Sequence, residues 1–293
     1  MPHQRLNVLK TYKLYIGGKF PRTESGRYMT ATNATDGSHI AHYCQASRKD
    51  LRDAVVAARS AFPGWSKATA YLRGQILYRS AEMIESRFES FVDELVSVTG
   101  RSKAEVIREV EASIDRIVHF AGWTDKYSQI FSSVNPVASS HFNFSVPEPT
   151  GVVGIVSPDS PELLGMISLI ASTILTGNTA VVIVSKTASL SAVSLAEAFS
   201  TSDLPGGVVN ILTGARDELT PWLASHMDVN AIIDGSGDPD ILETLKSGAA
   251  DNLKRVSDHS FISPEDWFEG AACDPYRILD VTETKTAWHP IGS

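Results

Sequence analysis

The chain carries two thiols, Cys44 and Cys273, and neither sits where a nucleophile would be activated. Cys44 follows Tyr43 in a strand-like run and reads as a small buried hydrophobe. Cys273 precedes Asp274-Pro275 and has no activating neighbour in sequence. His259, Cys273 and His289 match no metal-ligand spacing, while His119 and His141 stand alone. Gly235-Ser236-Gly237, just before a helical segment, is a weak phosphate-loop signal by itself. Ser160, directly before Pro161, fits the N-cap of a helix that starts at the proline. Trp65, Trp123, Trp222, Trp267 and Trp288 read as packing anchors rather than a ligand cage.

Composition bounds the scaffold that must hold these groups. A length of 293 residues suggests one or two domains, and a hydrophobic share of 43% supports a sizeable core. The net charge of -8 argues against nucleic acid or an anionic membrane as partner. No apolar run approaches the ~20 residues that cross a bilayer. Residues 1–15 lack a signal-peptide core. Two cysteines make no disulfide framework, so a reducing, cytoplasmic setting is expected.

Residues 1–133 read as a hairpin followed by helices. The first twelve are polar and expected to be loose. Residues 13–20 form two short strands around Gly17-Gly18, and a further strand fits residues 41–44. Ser47 to Asp50 resembles a capping box, with Asp in the usual place of Glu. Leu51, Ala54, Val55, Ala58, Ala61 and Phe62 follow at helical spacing. Further helices fit residues 73–86, 88–98 and 103–130. Residues 134–150 alternate between prolines, with Phe142, Phe144 and Val146 as the apolar members of a half-exposed strand.

Over residues 151–257 short apolar strands alternate with helices. The strands fit 151–157, 180–185, 208–212 and 229–233, with one more at 252–256. The helices fit 161–175, 191–201, 217–226 and 239–249. That alternation predicts an α/β fold, a Rossmann-like parallel sheet with helices on both faces. Residues 258–277 read as a loop or short helix. Residues 281–288 alternate, have no fully apolar face, and fit a strand that joins an existing sheet.

Several segments, in order, resemble the aldehyde dehydrogenase family. Leu14-Tyr-Ile-Gly-Gly-Lys-Phe20 is similar to its opening motif, and Asp53 to Trp65 to its first helix. Glu148-Pro-Thr-Gly-Val-Val-Gly154 and Gly177-Asn-Thr179 resemble the entries to its first two sheet strands. Leu204-Pro-Gly-Gly-Val-Val-Asn-Ile-Leu-Thr-Gly214 is the most specific match. Asn252 to Val256 resembles the strand before the catalytic domain, and Thr282 to Trp288 the C-terminal strand that pairs across subunits.

The resemblance implies NAD(P)-dependent aldehyde oxidation by a cysteine nucleophile and a glutamate base. Neither motif that carries those groups is present. Residues 258–277 form a linker in place of the catalytic domain, which Trp267-Phe268 could offset by covering sheet surface. The resemblance places degenerate cofactor positions at Ser157, Pro158, Ser160, Gly214, Gly235 and Ser236. The family's oxyanion-hole Pro-Trp-Asn becomes Pro158-Asp159-Ser160. Its ribose-binding Lys and Glu become Ile183 and Lys186. Its Phe-Thr-Gly-Ser phosphate turn becomes Ile233-Asp234-Gly235-Ser236, with Asp238 and Asp240 following. Two like charges ~4 Å apart at an effective dielectric of 20 repel by about 4 kcal/mol, so no cofactor, or NAD(P) only weakly, is expected.

A non-catalytic subunit is therefore expected, with no assigned catalytic residue or metal. Its partner would be another copy or a full-length aldehyde dehydrogenase, met through residues 134–150 and 278–293. The alternative is an NAD(P)-dependent oxidoreductase acting on an aldehyde or oxo group. A third possibility is a nucleotide-binding sensor.

Overall fold

The computed structural model describes residues 9–291, so residues 1–8 of the stretch expected to be loose lie outside it. The turn at Gly17-Gly18 is present, closed by Ile16 and Lys19 bonding each other at 3.0 Å. The expected flanking strands shrink to single bridges, because Tyr15 exchanges backbone bonds with Ile211 at 3.0 and 2.8 Å instead. Gly18, at φ +77°, has no room for a side chain: a Cβ would stand 2.8 Å from Gly206 Cα. A strand absent from the sequence reading, β1 (Tyr28–Thr32), pairs with β2 (His39–Cys44).

Four long helices follow: α1 (Arg48–Lys67), α2 (Ala70–Glu85), α3 (Phe88–Thr99) and α4 (Lys103–Ala121). Ser47 and Asp50 make the expected capping box on α1. The single helix expected over 103–130 is two. Gly122 caps α4, and the chain turns before α5 (Lys126–Phe131).

The central sheet is β5 (Val152–Val156), β6 (Thr179–Ile183), β7 (Val209–Leu212), β8 (Ala231–Asp234) and β9 (Arg255–Asp258). It is wholly parallel, in the order β7-β6-β5-β8-β9. Strand β9 starts later than expected, because Leu253 adopts a left-handed turn at φ 56° first. The connecting helices are α6 (Glu162–Ile174), α7 (Ser189–Ser200), α8 (Arg216–Ser225) and α9 (Pro239–Ala249).

Both sheet faces are buried, which explains strands without polar alternation. Val153, Ile155, Ala180 and Val182 join the core built with α6, α2 and α4. Val152, Val156, Val181 and Ile183 join the one built with α1 and α8. Every residue of α6 is buried, because α4 and the sheet enclose it.

A second, antiparallel sheet consists of β3 (Ser133–Asn135), β4 (His141–Pro149) and β10 (Thr282–Pro290), with β4 central. Strand β10 pairs with β4 over nine residues without a register break. Asn178 ties the two sheets together, accepting from Gly151 N at 2.7 Å and donating to the Val281 carbonyl at 2.7 Å. The half-exposed face of β4 is reversed from expectation. Asn143 is 2% exposed, whereas Phe142 is 44% exposed and Phe144 and Val146 are half-buried.

Between β9 and β10 the chain makes a 3-10 turn at Gly270–Cys273 and a short helix, α10 (Tyr276–Leu279). Buried Arg116 of α4 pins it, donating to the carbonyls of Trp267 and Ala272 at 2.7 and 3.2 Å. Phe268 lies 4.1 Å beneath the Arg108 guanidinium, also on α4. The Trp267-Phe268 pair is thus fastened to α4, with Trp267 buried in the core that also holds the sheet's Val153, Ile155, Ala180 and Val182, and Phe268 packed against it. Among the described residues no helix is long and apolar enough to cross a membrane.

Candidate functional site

In a parallel sheet, ligands bind beyond the carboxyl ends of the strands where strand order reverses. Here that point lies between β5 and β8. The turns that leave those strands bring four of the six expected positions together: Ser157 and Pro158 after β5, Gly235 and Ser236 after β8. Pro158 wedges between helix and turn, and a Cβ on Gly165 would meet its ring at 2.3 Å, one on Gly235 at 3.3 Å.

The other two positions stand apart. Gly214 follows β7 and closes against Ala46, whose amide would lie 3.0 Å from an added Cβ. Ser160 is exposed and does not cap α6. Pro161 holds the N-cap, one residue later than expected, which leaves the Ser160 hydroxyl a step outside the helix. The acceptor comes instead from α4. Glu109, wholly buried, accepts from the Leu163 and Leu164 amides at 2.6 and 3.2 Å. A carboxylate at a helix N-terminus also meets the positive end of its dipole.

Polar groups lining the crevice are turned inward. The Ser157 hydroxyl accepts from Ser185 N at 3.1 Å. Asp234 accepts from Ser236 N at 3.0 Å, and Ser236 Oγ accepts from Asp238 N at 3.2 Å. Asp238 caps α9, accepting from the Asp240 and Ile241 amides at 2.9 and 3.4 Å. Gly235 N donates to the Val156 carbonyl at 2.9 Å. Those amides are the ones a phosphate would need.

One residue crosses this space that the sequence reading did not single out. Arg216, at the start of α8, donates to the Ser157 carbonyl and, at 2.9 Å, to Asp159. Burial lowers its pKa, while Asp159, Asp234 and Asp238 pull it back up. Burial raises the pKa of Asp234. In sequence, Arg216 ahead of Asp217-Glu218 gives no sign of reaching across the sheet. Glu109 did leave a sign: it sits beside Val110, three residues past Val106, on the apolar stripe of its helix.

Next to the crevice, Arg101 bonds Glu109 and also Glu162 at 2.8 Å. Burial, then the neighbouring Glu109 carboxylate, pushes the Glu162 pKa up to about 7, against the pull of Arg101. On the far side His259 is held at both ring nitrogens, Nε2 to Asp280 at 2.8 Å and Nδ1 to Arg277 at 3.1 Å. With both nitrogens engaged the imidazole clasps Asp280 and Arg277 together. Its amide bonds the Asp234 carbonyl at 2.7 Å, so it links the crevice to the segment leading into β10. Cys44 is buried, and Cys273 is partly buried beside Arg116 and Arg277.

Comparison with known proteins gives this geometry a lineage. The aldehyde dehydrogenase family matches residues 20–258. Mouse cytosolic 10-formyltetrahydrofolate dehydrogenase is 32% identical over 263 residues, covering 87% of this chain and 29% of its own length. The 2-hydroxymuconic semialdehyde dehydrogenase of Pseudomonas sp. strain CF600 is 31% identical, covering 85% of this chain and 52% of its own. An aldehyde dehydrogenase from Bacillus cereus, solved in complex with NAD+, superposes with a TM-score of 0.80 at 26% identity. That alignment covers 85% of this chain and 50% of the other. The chain thus spans about a third to a half of the relatives it matches.

Proposed function

The chain belongs to the aldehyde dehydrogenase family, and from that premise we propose that it is a non-catalytic member that works by association. Its partner is a second copy or a full-length aldehyde dehydrogenase, met through the β3-β4-β10 sheet in a reducing cytoplasm. One observation carries this reading: the sheet is complete although only residues 259–281 separate β9 from β10. Its apolar face is uncovered, with Val134 68% and Phe142 44% exposed beside Phe144 and Val146. The outer edges of β3 and β10 have no strand partner among the described residues. Unpaired edges and an apolar face are what strand-mediated association uses.

The crevice does not fit a dinucleotide. The amides of its phosphate turn are spent on Asp234, Ser236 and Asp238, and carboxylates face where a dianion would lie. Neither the Glu-Leu-Gly-Gly-Lys nor the Gly-Gln-x-Cys stretch that would supply the glutamate and cysteine of aldehyde oxidation occurs in residues 259–281, where Cys273 is part-buried and Glu265 bonds Arg108. Light scattering during size-exclusion chromatography, with and without a full-length relative, tests the association. A monomer at micromolar concentration that binds no relative would sink it. NADH formation from an aldehyde by the purified chain alone would favour the oxidoreductase alternative.

A further inference from the structure

The Arg216 guanidinium lies at the carboxyl end of β5, where a parallel sheet of this order places a ligand. It is fastened twice, to the Ser157 carbonyl and to Asp159. Asp234, wholly buried, is near enough for its charge to act on Arg216, but no hydrogen bond or ion pair joins them; the ion pair is with Asp159. Two atoms there lack any partner, Arg216 Nε and Asp234 Oδ2, and both are buried. A wholly buried carboxylate costs desolvation that the largely buried guanidinium nearby offsets, so removing Arg216 alone leaves the Asp234 charge uncompensated, whereas removing Asp234 alone leaves Arg216 paired with Asp159.

We propose that Arg216 is a built-in plug: with Asp234 as counter-charge it fills the crevice between β5 and β8 and excludes a dinucleotide's pyrophosphate. This deepens the non-catalytic reading by naming the residue that closes the cofactor crevice. The plug predicts a specific pattern of gain. Arg216→Ala alone leaves Asp159, Asp234 and Asp238 facing the opening, which repels phosphate. Asp234→Thr alone leaves the guanidinium bonded to Ser157 and Asp159. Only the pair of changes opens the space and lowers its negative charge.

The test is calorimetric titration of ADP and NAD+ into the parent chain, each single variant and the double variant. The parent and both single variants should give no saturable heat up to about 1 mM ligand, and the double variant should bind at least about tenfold more tightly than that limit. Silence from a folded double variant would overturn the proposal. So would ADP binding by the parent that Arg216→Ala weakens, since Arg216 would then be a phosphate ligand. Mass-spectrometric mapping of phenylglyoxal modification covers the case in which the double variant does not fold. In the parent, Arg216 should stay unmodified while exposed Arg52 reacts, with or without ADP. Ready modification of Arg216 would overturn the plug. Titration reads the crevice and light scattering reads the association, so either can fail without the other.

Discussion

The crevice and the three-stranded sheet spend their polar groups in opposite directions. Around the crevice most backbone amides and carboxylates satisfy one another, Ser236 on Asp234, Asp238 on α9 and Arg216 on Ser157, with Arg216 Nε and Asp234 Oδ2 left over and buried. In the β3-β4-β10 sheet, two outer strand edges and the face bearing Val134 and Phe142 remain unmet. A surface binds with what it has left unsatisfied, because a buried polar group that already has a partner gains little from a new one. By that measure, the proposed association draws on the extension rather than on the strand ends.

The largest test of the contrast is to break the crevice wall at its internal acceptor. Glu109→Ala removes the carboxylate that caps α6 and answers Arg101. The cost should be roughly 3–5 kcal/mol of stability, the range for splitting a buried pair. Urea unfolding measures it. A loss below about 1 kcal/mol would mean that the wall is not self-supporting.

A smaller effect sharpens the same point through pH. Glu162 ionises at about 7 in the folded chain, against 4.5 for an ordinary glutamate. The folded state therefore holds this proton more tightly than the unfolded chain does. Its stabilisation is complete below the ordinary value and is lost as pH rises through about 7. The gap corresponds to at most about 3 kcal/mol, with burial as the main cause. Relative to Glu162→Gln, the parent should lose stability between roughly pH 4.5 and 8. Parallel stability–pH curves for the two proteins would refute it.

The extension should answer in the opposite currency, with partner binding altered and stability spared. Phe142→Glu with Val134→Glu places charge on the uncovered apolar face. Association should weaken by about tenfold or more, a change of ~1.4 kcal/mol. The unfolding midpoint should barely move, because exposed positions usually shift stability by no more than about 0.5 kcal/mol. Unchanged association, read by light scattering across a dilution series, would remove this face from the interface.

Much of the scaffold was legible in sequence because its signals are local. The βα alternation from Gly151 onward, the capping box at Ser47 and the terminal strand each follow from a few adjacent residues. The misreadings share a different cause, a partner distant in sequence. Tyr15 bonds Ile211, which cuts the strands of the expected hairpin to single bridges around its turn. Asn143 turns inward, accepting from Asn135 at 2.6 Å, which puts Phe142 outside and leaves Phe144 half-buried. Arg216 reaches Ser157, 59 positions away. Four of the six candidate positions converge because they leave neighbouring strands, which the alternation implies. What fills the space between them was not readable from spacing.

The smallest effect separates a local signal from a distant one. Ser47 and Ser160 look alike in sequence, each a serine before a helix. Ser47 Oγ accepts from Asp50 N at 3.3 Å, and Asp50 answers the Ser47 amide at 2.8 Å. Ser160 makes no such bond, because Glu109 already serves the amides it would have reached. Ser47→Ala should cost about 1 kcal/mol, the usual value of a lost cap. Ser160→Ala should fall within about 0.5 kcal/mol of the parent. Equal losses in urea unfolding would show that Ser160 caps α6 in solution after all. The carboxylate from α4 would then be redundant, and the crevice wall less self-contained than its hydrogen bonds imply.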